Sequence, residues 1–104
     1  MEKNDQKTRF FVYILRCSDH SLYTGYTTDV PRRLKMHNLG KGAKYTQSRR
    51  PVKLEQAWEV GSHSYALRLE SAIKKLSKKK KEALIADPGS NEALFHSLLM
   101  DSNE

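Results

Sequence analysis

The sequence has few of the features that stabilise extracellular domains or cross membranes. Its 104 residues include a single cysteine, Cys17, so no disulfide framework can form and a reducing cytoplasm is the expected compartment. The longest apolar run is the six residues from Phe10 to Leu15, far short of the ~20 residues that span a bilayer. The first seven residues are polar and lack the apolar core of a secretory signal. These absences exclude a membrane span and favour a cytoplasmic protein.

Acidic residues are also scarce relative to basic ones. There are 12 Asp and Glu against 19 Lys and Arg, which gives a net charge of +7. A charge excess of this size on a small body favours a polyanionic partner, and nucleic acid is the first candidate. The hydrophobic fraction of 38% is below the ~45–50% of a typical globular chain, so the core is expected to be modest. Length and composition together predict one small domain that binds nucleic acid.

The hydrophobic pattern predicts an α+β fold with the order β-β-α-β-α-α, in which helices flank a small three-stranded sheet, mixed or antiparallel. Short connections and the helix-capping residues Thr28 or Asp29 and Ser77 support this order. The predicted strands are 9–17, 22–27 and 52–60, and the predicted helices are 30–39, 62–76, 77–85 and 91–100. Residues 1–8 are expected to be a disordered lead-in, 9–86 the domain, and 87–104 a C-terminal extension with a short helix.

Two tyrosines, an arginine and a glutamate occur at a characteristic spacing along these elements. Tyr13 lies in the first strand, Tyr23-Thr24-Gly25 begins ten residues later, Arg33 follows Tyr23 by ten residues, and Glu70 lies on a later helix. This pattern resembles the GIY-YIG nuclease superfamily over residues 9–85, and most closely its small stand-alone bacterial members. In the first motif Phe11-Val12 replaces Gly-Ile, and in the second Thr24 replaces Ile.

The resemblance implies a metal-dependent DNA endonuclease. It assigns catalysis to Tyr13, Tyr23, Arg33, His37 and Glu70, with Glu70 as the ligand of Mg²⁺ or Mn²⁺. Arg33 offers a planar set of donors for a phosphate, and His37, one helical turn later, could orient the phosphate or move a proton. Tyrosine could act as a base only near a cation that lowers its pKa from ~10.

Two further features of the resemblance concern structure and charge. Gly25 would permit close approach of a ligand or another backbone segment. Tyr26 stands where the nuclease module of bacterial excision repair often has a lysine, so Lys44 or Arg49 would have to supply that cation.

The register of the first hairpin decides whether the tyrosines can act together. A two-residue turn would place Tyr13 and Tyr23 on opposite faces of the sheet, whereas a three-residue turn, residues 18–20, pairs Leu15 with Tyr23 and places both on one face. The nuclease hypothesis therefore predicts the three-residue turn or a compensating bulge.

Basic residues cluster in a loop after the first helix and along the later helices. The predicted nucleic-acid contacts are Lys41, Lys44, Tyr45, Arg49, Arg50 and Lys74. Each of these residues also has an ordinary interpretation as a solvated charge or packed ring, and Glu70 could simply pair with Lys74 four residues later. The rival hypotheses are therefore a nucleic-acid-binding module of the same fold that is catalytically weak or inactive and, less favoured, an adaptor that docks on a protein partner through its C-terminal helix.

Overall fold

A computed structural model describes residues 8–87 and 95–96, which form an antiparallel three-stranded sheet with helices on both faces. The predicted α+β class and element order are confirmed. The strand order across the sheet is β2-β1-β3, so β1 lies in the centre and β2 has a free edge. The elements are β1 (Phe10–Arg16), β2 (Leu22–Thr27), α1 (Val30–Asn38), α2 (Lys44–Gln47), β3 (Lys53–Val60), α3 (His63–Lys74) and α4 (Lys78–Ala86).

Strand β1 is buried on both faces and so separates two hydrophobic clusters. Its even-numbered side chains, Val12 and Ile14, pack against Ala66, Leu69 and Ile73 of α3, all five being fully buried. The apolar stripe predicted for this helix is therefore confirmed. Each large aliphatic side chain buried in this way contributes about 1.5–3 kcal/mol to folding.

The odd-numbered side chains of β1 face the other way. Tyr13, Leu15 and Cys17 form the second cluster with Val52, and Leu34 of α1 packs against it. The alternation of the strand thus places Tyr13 on the face covered by α1, while α3 covers the opposite face.

A three-residue turn joins β1 to β2, as the nuclease hypothesis requires. Leu15 pairs with Tyr23, and Tyr13 pairs with Gly25. His20, the last residue of the turn, has a φ of +70°, the left-handed conformation that closes hairpins of this length. Because Tyr23 and Gly25 are two residues apart, Tyr13 and Tyr23 project from the same face.

Side chains that cap helices fix the start of α1, α3 and α4. The carboxylate of Asp29 accepts a hydrogen bond from the backbone N–H of Arg32, and the hydroxyls of Ser62 and Ser77 cap α3 and α4 in the same way. Helix α1 ends before Gly40, whose φ of +80° favours glycine. These local signals explain why the helix boundaries were predictable.

The structure differs from the prediction in the basic loop, where residues 44–47 form the single helical turn α2. The cause is Thr46, a fully buried residue whose backbone N–H and side-chain hydroxyl both bond to the carbonyl of Ala43. At the base of this loop, Asn38 donates to the carbonyl of Val52 at 2.9 Å and accepts from its N–H at 2.7 Å. The Asn38 side chain thus makes the two hydrogen bonds with Val52 that a paired backbone residue would make. These bonds join the two ends of the segment 38–52.

Helix α4 is held to the sheet by a half-buried arginine. Arg16 donates to Glu55 and, through both terminal nitrogens, to Glu82 of α4, each contact being 2.7 Å long. Glu55 is available because β3 shifts its register against β1 near this point, a bulge that leaves one residue unpaired. The predicted lead-in and C-terminal extension stay predictions, and most of the predicted helix 91–100 lies outside the described residues.

Candidate active site

A pocket opens at the free edge of β2, between the two faces of the sheet. Four of the five residues predicted to be catalytic line it: Tyr13, Tyr23, Arg33 and Glu70. The remaining lining residues are Gly25, Tyr26 and Thr27 of β2. The two tyrosines and Arg33 reach it from the α1 face, and Glu70 reaches it from α3 on the opposite face.

Gly25 leaves the space in which the Tyr13 side chain lies. A Cβ atom at this position would stand 2.6 Å from the Tyr13 hydroxyl oxygen and 2.8 Å from Cζ of the same ring. Such distances are shorter than atomic contact allows, so any side chain at residue 25 would displace Tyr13. The predicted close approach at Gly25 is thus an approach of the Tyr13 ring to the backbone of β2.

Glu70 lies at the edge of the apolar stripe of α3 and is largely buried, with 17% of its side chain exposed. Its carboxylate is 3.4 Å from the ammonium group of Lys74, so the ion pair anticipated from the sequence is present. The carboxylate nevertheless lines the pocket. The ion pair with Lys74 and a position in the candidate site are therefore compatible.

His37 is fully buried beneath the tyrosines and does not line the pocket. Its Nε2 atom is 2.9 Å from the hydroxyl oxygen of Tyr13, and its Nδ1 atom is 2.8 Å from the hydroxyl of Thr46. Because both ring nitrogens already have partners, this geometry favours a role in moving a proton over a direct contact with phosphate.

Burial controls the protonation of this pair. It raises the pKa of Tyr13 from 10.0 to about 12, although the nearby Arg33 side chain acts in the opposite direction. Burial also lowers the pKa of His37 from its usual 6.5, and the charge of Arg33 lowers it further. At neutral pH both groups are therefore uncharged, with Tyr13 as a phenol and His37 as a neutral imidazole.

Two residues around His37, Gly42 and Thr46, were missed by the sequence reasoning. Thr46 lies among lysines and arginines, a context that gives no sign of burial. Gly42 follows Gly40 by two residues, and such a pair of glycines could have indicated a close backbone approach. A Cβ atom at residue 42 would lie 2.3 Å from Nδ1 of His37, so the backbone here packs directly on the imidazole ring.

Replacing Gly42 with alanine is expected to destabilise the protein by about 1–3 kcal/mol, the usual cost of overpacking a filled site. The added methyl group would displace His37 from both Tyr13 and Thr46. Gly61→Ala is the matched control, since a Cβ atom there meets nothing within 4 Å. Urea unfolding of the two variants measures the difference, and equal stabilities would contradict the packing described for Gly42.

Comparison with known proteins identifies the family. The model of the GIY-YIG catalytic domain matches residues 9–83, which include all of the strands and the pocket. The chain belongs to the GIY-YIG family. The resemblance inferred from Tyr13, Tyr23, Gly25, Arg33 and Glu70 is therefore confirmed.

Several small GIY-YIG relatives are similar over most of the chain. The UPF0213 protein BH0048 of Halalkalibacterium halodurans is 53% identical over 79 residues, covering 76% of this chain and 84% of its own. The UPF0213 protein KPN78578_35340 of Klebsiella pneumoniae is 47% identical over 92 residues, covering 88% of this chain and 87% of its own.

Solved structures of two relatives show the same fold. The solution NMR structure of BH0048 aligns with a TM-score of 0.52 at 51% identity and covers 79% of this chain and 87% of that one. The NMR structure of the E. faecalis protein EF2693 aligns with a TM-score of 0.54 at 41% identity and covers 77% of this chain and 85% of that one.

Most departures from the GIY-YIG motifs fall on the face of the sheet away from the tyrosines, whereas Phe11 lies on the same face as Tyr13 and lines a separate pocket with Val30 and Pro31 of α1. Val12 is in the α3 core, and Thr24, which pairs with Ile14, is also buried on that side. Tyr26 packs against the same core, and its hydroxyl is 3.1 Å from Nε2 of His63. None of these substitutions changes the groups that Tyr13 and Tyr23 present to the pocket.

The basic residues of this GIY-YIG domain differ in how many contacts they already make within the protein. Arg49 bonds to Asp19 and to the carbonyl of Tyr45, and its guanidinium lies 3.9 Å from the Tyr45 ring centroid. Tyr45 also stacks on Tyr23, with 6.1 Å between ring centroids. Arg50 donates to two carbonyls of the same loop.

The lysines differ in how far their charges are available to a ligand. Lys41 and Lys44 are exposed, whereas Lys74 forms an ion pair with Glu70 and lies 5.9 Å from the Tyr23 ring. Lys74 therefore supplies a cation beside Glu70 on the pocket side of α3.

Metal binding would depend on Glu70 alone among the pocket residues. Within residues 8–87 and 95–96 no group of three His, Cys, Asp or Glu side chains is arranged to hold a metal ion. One carboxylate is nevertheless compatible with Mg²⁺, which keeps several waters and takes further oxygens from substrate phosphates.

Within residues 8–87 and 95–96 no helix has the length and apolar character needed to cross a membrane.

Proposed function

We propose that this GIY-YIG protein is a metal-dependent endonuclease that hydrolyses phosphodiester bonds in DNA. The observation that carries the proposal is the convergence of Tyr13, Tyr23, Arg33 and Glu70 on one pocket. These side chains come from four separate elements, β1, β2, α1 and α3, and from both faces of the sheet. A domain that only bound nucleic acid would have no need to bring a partly buried carboxylate beside an arginine and two phenols.

Each residue has a role that its position allows. Arg33 binds the scissile phosphate and stabilises the charge that develops on its oxygens. Tyr13 and Tyr23 orient the attacking water, and Tyr13 can take a proton from that water as it passes its own to Nε2 of His37, 2.9 Å away. The neutral imidazole has the free lone pair that this transfer requires.

Glu70 would hold Mg²⁺ or Mn²⁺. When bound, such an ion neutralises phosphate charge and stabilises the departing oxygen. The Glu70 carboxylate suits it as a hard oxygen ligand, and the nearby Lys74 would then be free to contact phosphate.

The DNA strand would follow the basic side of the pocket. Lys41 and Lys44 on the loop and Lys74 on α3 would contact phosphates, which makes binding sensitive to salt. Tyr45, 40% exposed and next to Tyr23, offers a surface for stacking of a base. Arg49 and Arg50 mainly order the loop through their hydrogen bonds to Asp19 and to backbone carbonyls, although both side chains are partly exposed.

A catalytically inactive DNA-binding module is the second candidate. The observation that favours it is the Glu70–Lys74 ion pair, because an ion pair is the ordinary fate of a helix carboxylate with a lysine four residues later. The first candidate predicts metal-dependent cleavage of DNA, and the second predicts DNA binding without cleavage.

The deciding experiment measures nicking of duplex, branched and single-stranded DNA by the intact protein with Mg²⁺ or Mn²⁺, and again with EDTA. We expect cleavage of at least one substrate that chelation abolishes and added metal restores. DNA binding, measured by fluorescence anisotropy, should persist in EDTA. Binding without metal-dependent cleavage of any substrate would support the inactive module and refute the endonuclease.

A further inference from the structure

A continuous series of hydrogen bonds leads from the pocket into the basic loop. The Tyr13 hydroxyl contacts Nε2 of His37, Nδ1 of His37 contacts the hydroxyl of Thr46, and that hydroxyl contacts the carbonyl of Ala43. The three distances are 2.9, 2.8 and 2.9 Å. Thr46 and His37 are fully buried, so water does not compete for these contacts at either residue.

The end of the series fixes its direction. A carbonyl oxygen can only accept, so the Thr46 hydroxyl must give its single hydrogen to Ala43. The Thr46 oxygen then has only lone pairs to offer His37, and Nδ1 must carry the ring hydrogen. In a neutral imidazole this leaves Nε2 without a hydrogen, so Nε2 accepts from the hydroxyl of Tyr13.

The opposite tautomer of His37, with the ring hydrogen on Nε2, is unfavourable for two reasons. If Nδ1 lacked a hydrogen, the Thr46 hydroxyl would turn towards it and face Ala43 with a bare oxygen at 2.9 Å. Nε2 would then donate to the oxygen of Tyr13. The hydroxyl hydrogen of Tyr13 would lose its buried acceptor.

We propose that Thr46 is a positioning residue that holds His37 in the Nδ1–H tautomer, so that Nε2 is set to accept the proton of Tyr13. The loop that carries the basic residues thereby also determines the hydrogen-bonding direction inside the pocket. Its catalytic consequence rests on the proposed endonuclease function, whereas the tautomer itself does not depend on activity.

Three side chains at residue 46 test the proposal. Thr46→Val keeps the shape of the side chain but removes the hydroxyl, and Thr46→Ser keeps the hydroxyl but removes the methyl group. The tautomer of His37 is read from the ¹⁵N chemical shifts of its ring nitrogens in long-range ¹H–¹⁵N spectra of the full chain near neutral pH, with His37→Gln used to assign the signals.

We expect the parent protein and Thr46→Ser to show a protonated Nδ1 and an unprotonated Nε2. Thr46→Val should lose this preference, and its cleavage rate should fall about 100-fold, the lower end of what positioned proton transfer contributes. Thr46→Ser should retain most of the rate.

A parent protein with a protonated Nε2, or an unchanged tautomer in Thr46→Val, would overturn the proposal. Should Thr46→Val fail to fold, the parent and Thr46→Ser spectra still decide the direction of the hydrogen bonds. If the parent shows the Nδ1–H tautomer but cleaves no DNA, the endonuclease function fails while the assignment of Thr46 stands.

Discussion

Replacement of Glu70 with alanine is expected to lower the metal-dependent cleavage rate by about 10³-fold or more. Among the pocket-lining residues within the described part of the chain, Glu70 has the only carboxylate, so its loss would remove the proposed ligand for the ion. Charge stabilisation by a metal ion is worth several kcal/mol, and each 1.36 kcal/mol is a factor of ten in rate. Initial rates of nicking at saturating DNA, measured across a range of Mg²⁺ concentrations, test this expectation.

Controls separate this effect from changes in folding and charge. Glu59→Ala removes the same charge from β3, where Glu59 lies 3.5 Å from Arg9 and outside the pocket, and it should cleave like the parent. Both variants should bind DNA at least as tightly as the parent, because each loses a negative charge. Cleavage by Glu70→Ala at the rate of Glu59→Ala would exclude Glu70 from the site.

Replacement of Tyr13 with phenylalanine is expected to reduce cleavage by about 10²–10⁴-fold, the range attributed to positioned proton transfer. The ring would still fill the space above Gly25, so the change removes only the hydroxyl that bonds to His37. The buried Nε2 atom would lose its partner, which is expected to cost about 1–3 kcal/mol of stability. Single-turnover rates and urea unfolding of the same preparation measure the two effects.

The matched control is Tyr65→Phe, which removes a hydroxyl from an exposed position on α3 and should change neither quantity. The catalytic loss should also exceed any effect of unfolding, because assays at low temperature keep both proteins folded. A Tyr13→Phe protein that is as unstable as expected but cleaves at the parental rate would make Tyr13 a structural residue only.

The parts of the fold that were predictable are those encoded in neighbouring residues. The strand character of β1, the caps at Asp29 and Ser77 and the stripe of α3 each depend on a short stretch of sequence. The relation between Tyr13 and Tyr23 follows from the turn length alone, since strand side chains alternate with a period of two.

What the sequence did not reveal depends on contacts between distant residues. Arg16 and Glu82 are separated by 66 positions, and neither has a local pattern that predicts their bidentate pair. Thr46 is nine residues from His37, in a stretch whose charges indicate exposure. The burial of His37 was equally unpredictable, because an amphipathic pattern cannot tell whether a polar side chain finds partners inside the core.

The closure of the segment 38–52 by Asn38 and Val52 has a consequence for how the sequence of this small protein could vary. Because its two ends are clamped together, changes in its outer part need not shift the strands that carry Tyr13 and Tyr23. Doubling the length of a flexible loop costs only about 0.6 kcal/mol. The clamp thus separates a tolerant outer region from an inner anchor at Gly42 and Thr46. Under the proposed function, new substrate preferences could evolve through changes in the outer region, without changes at Gly42 or Thr46.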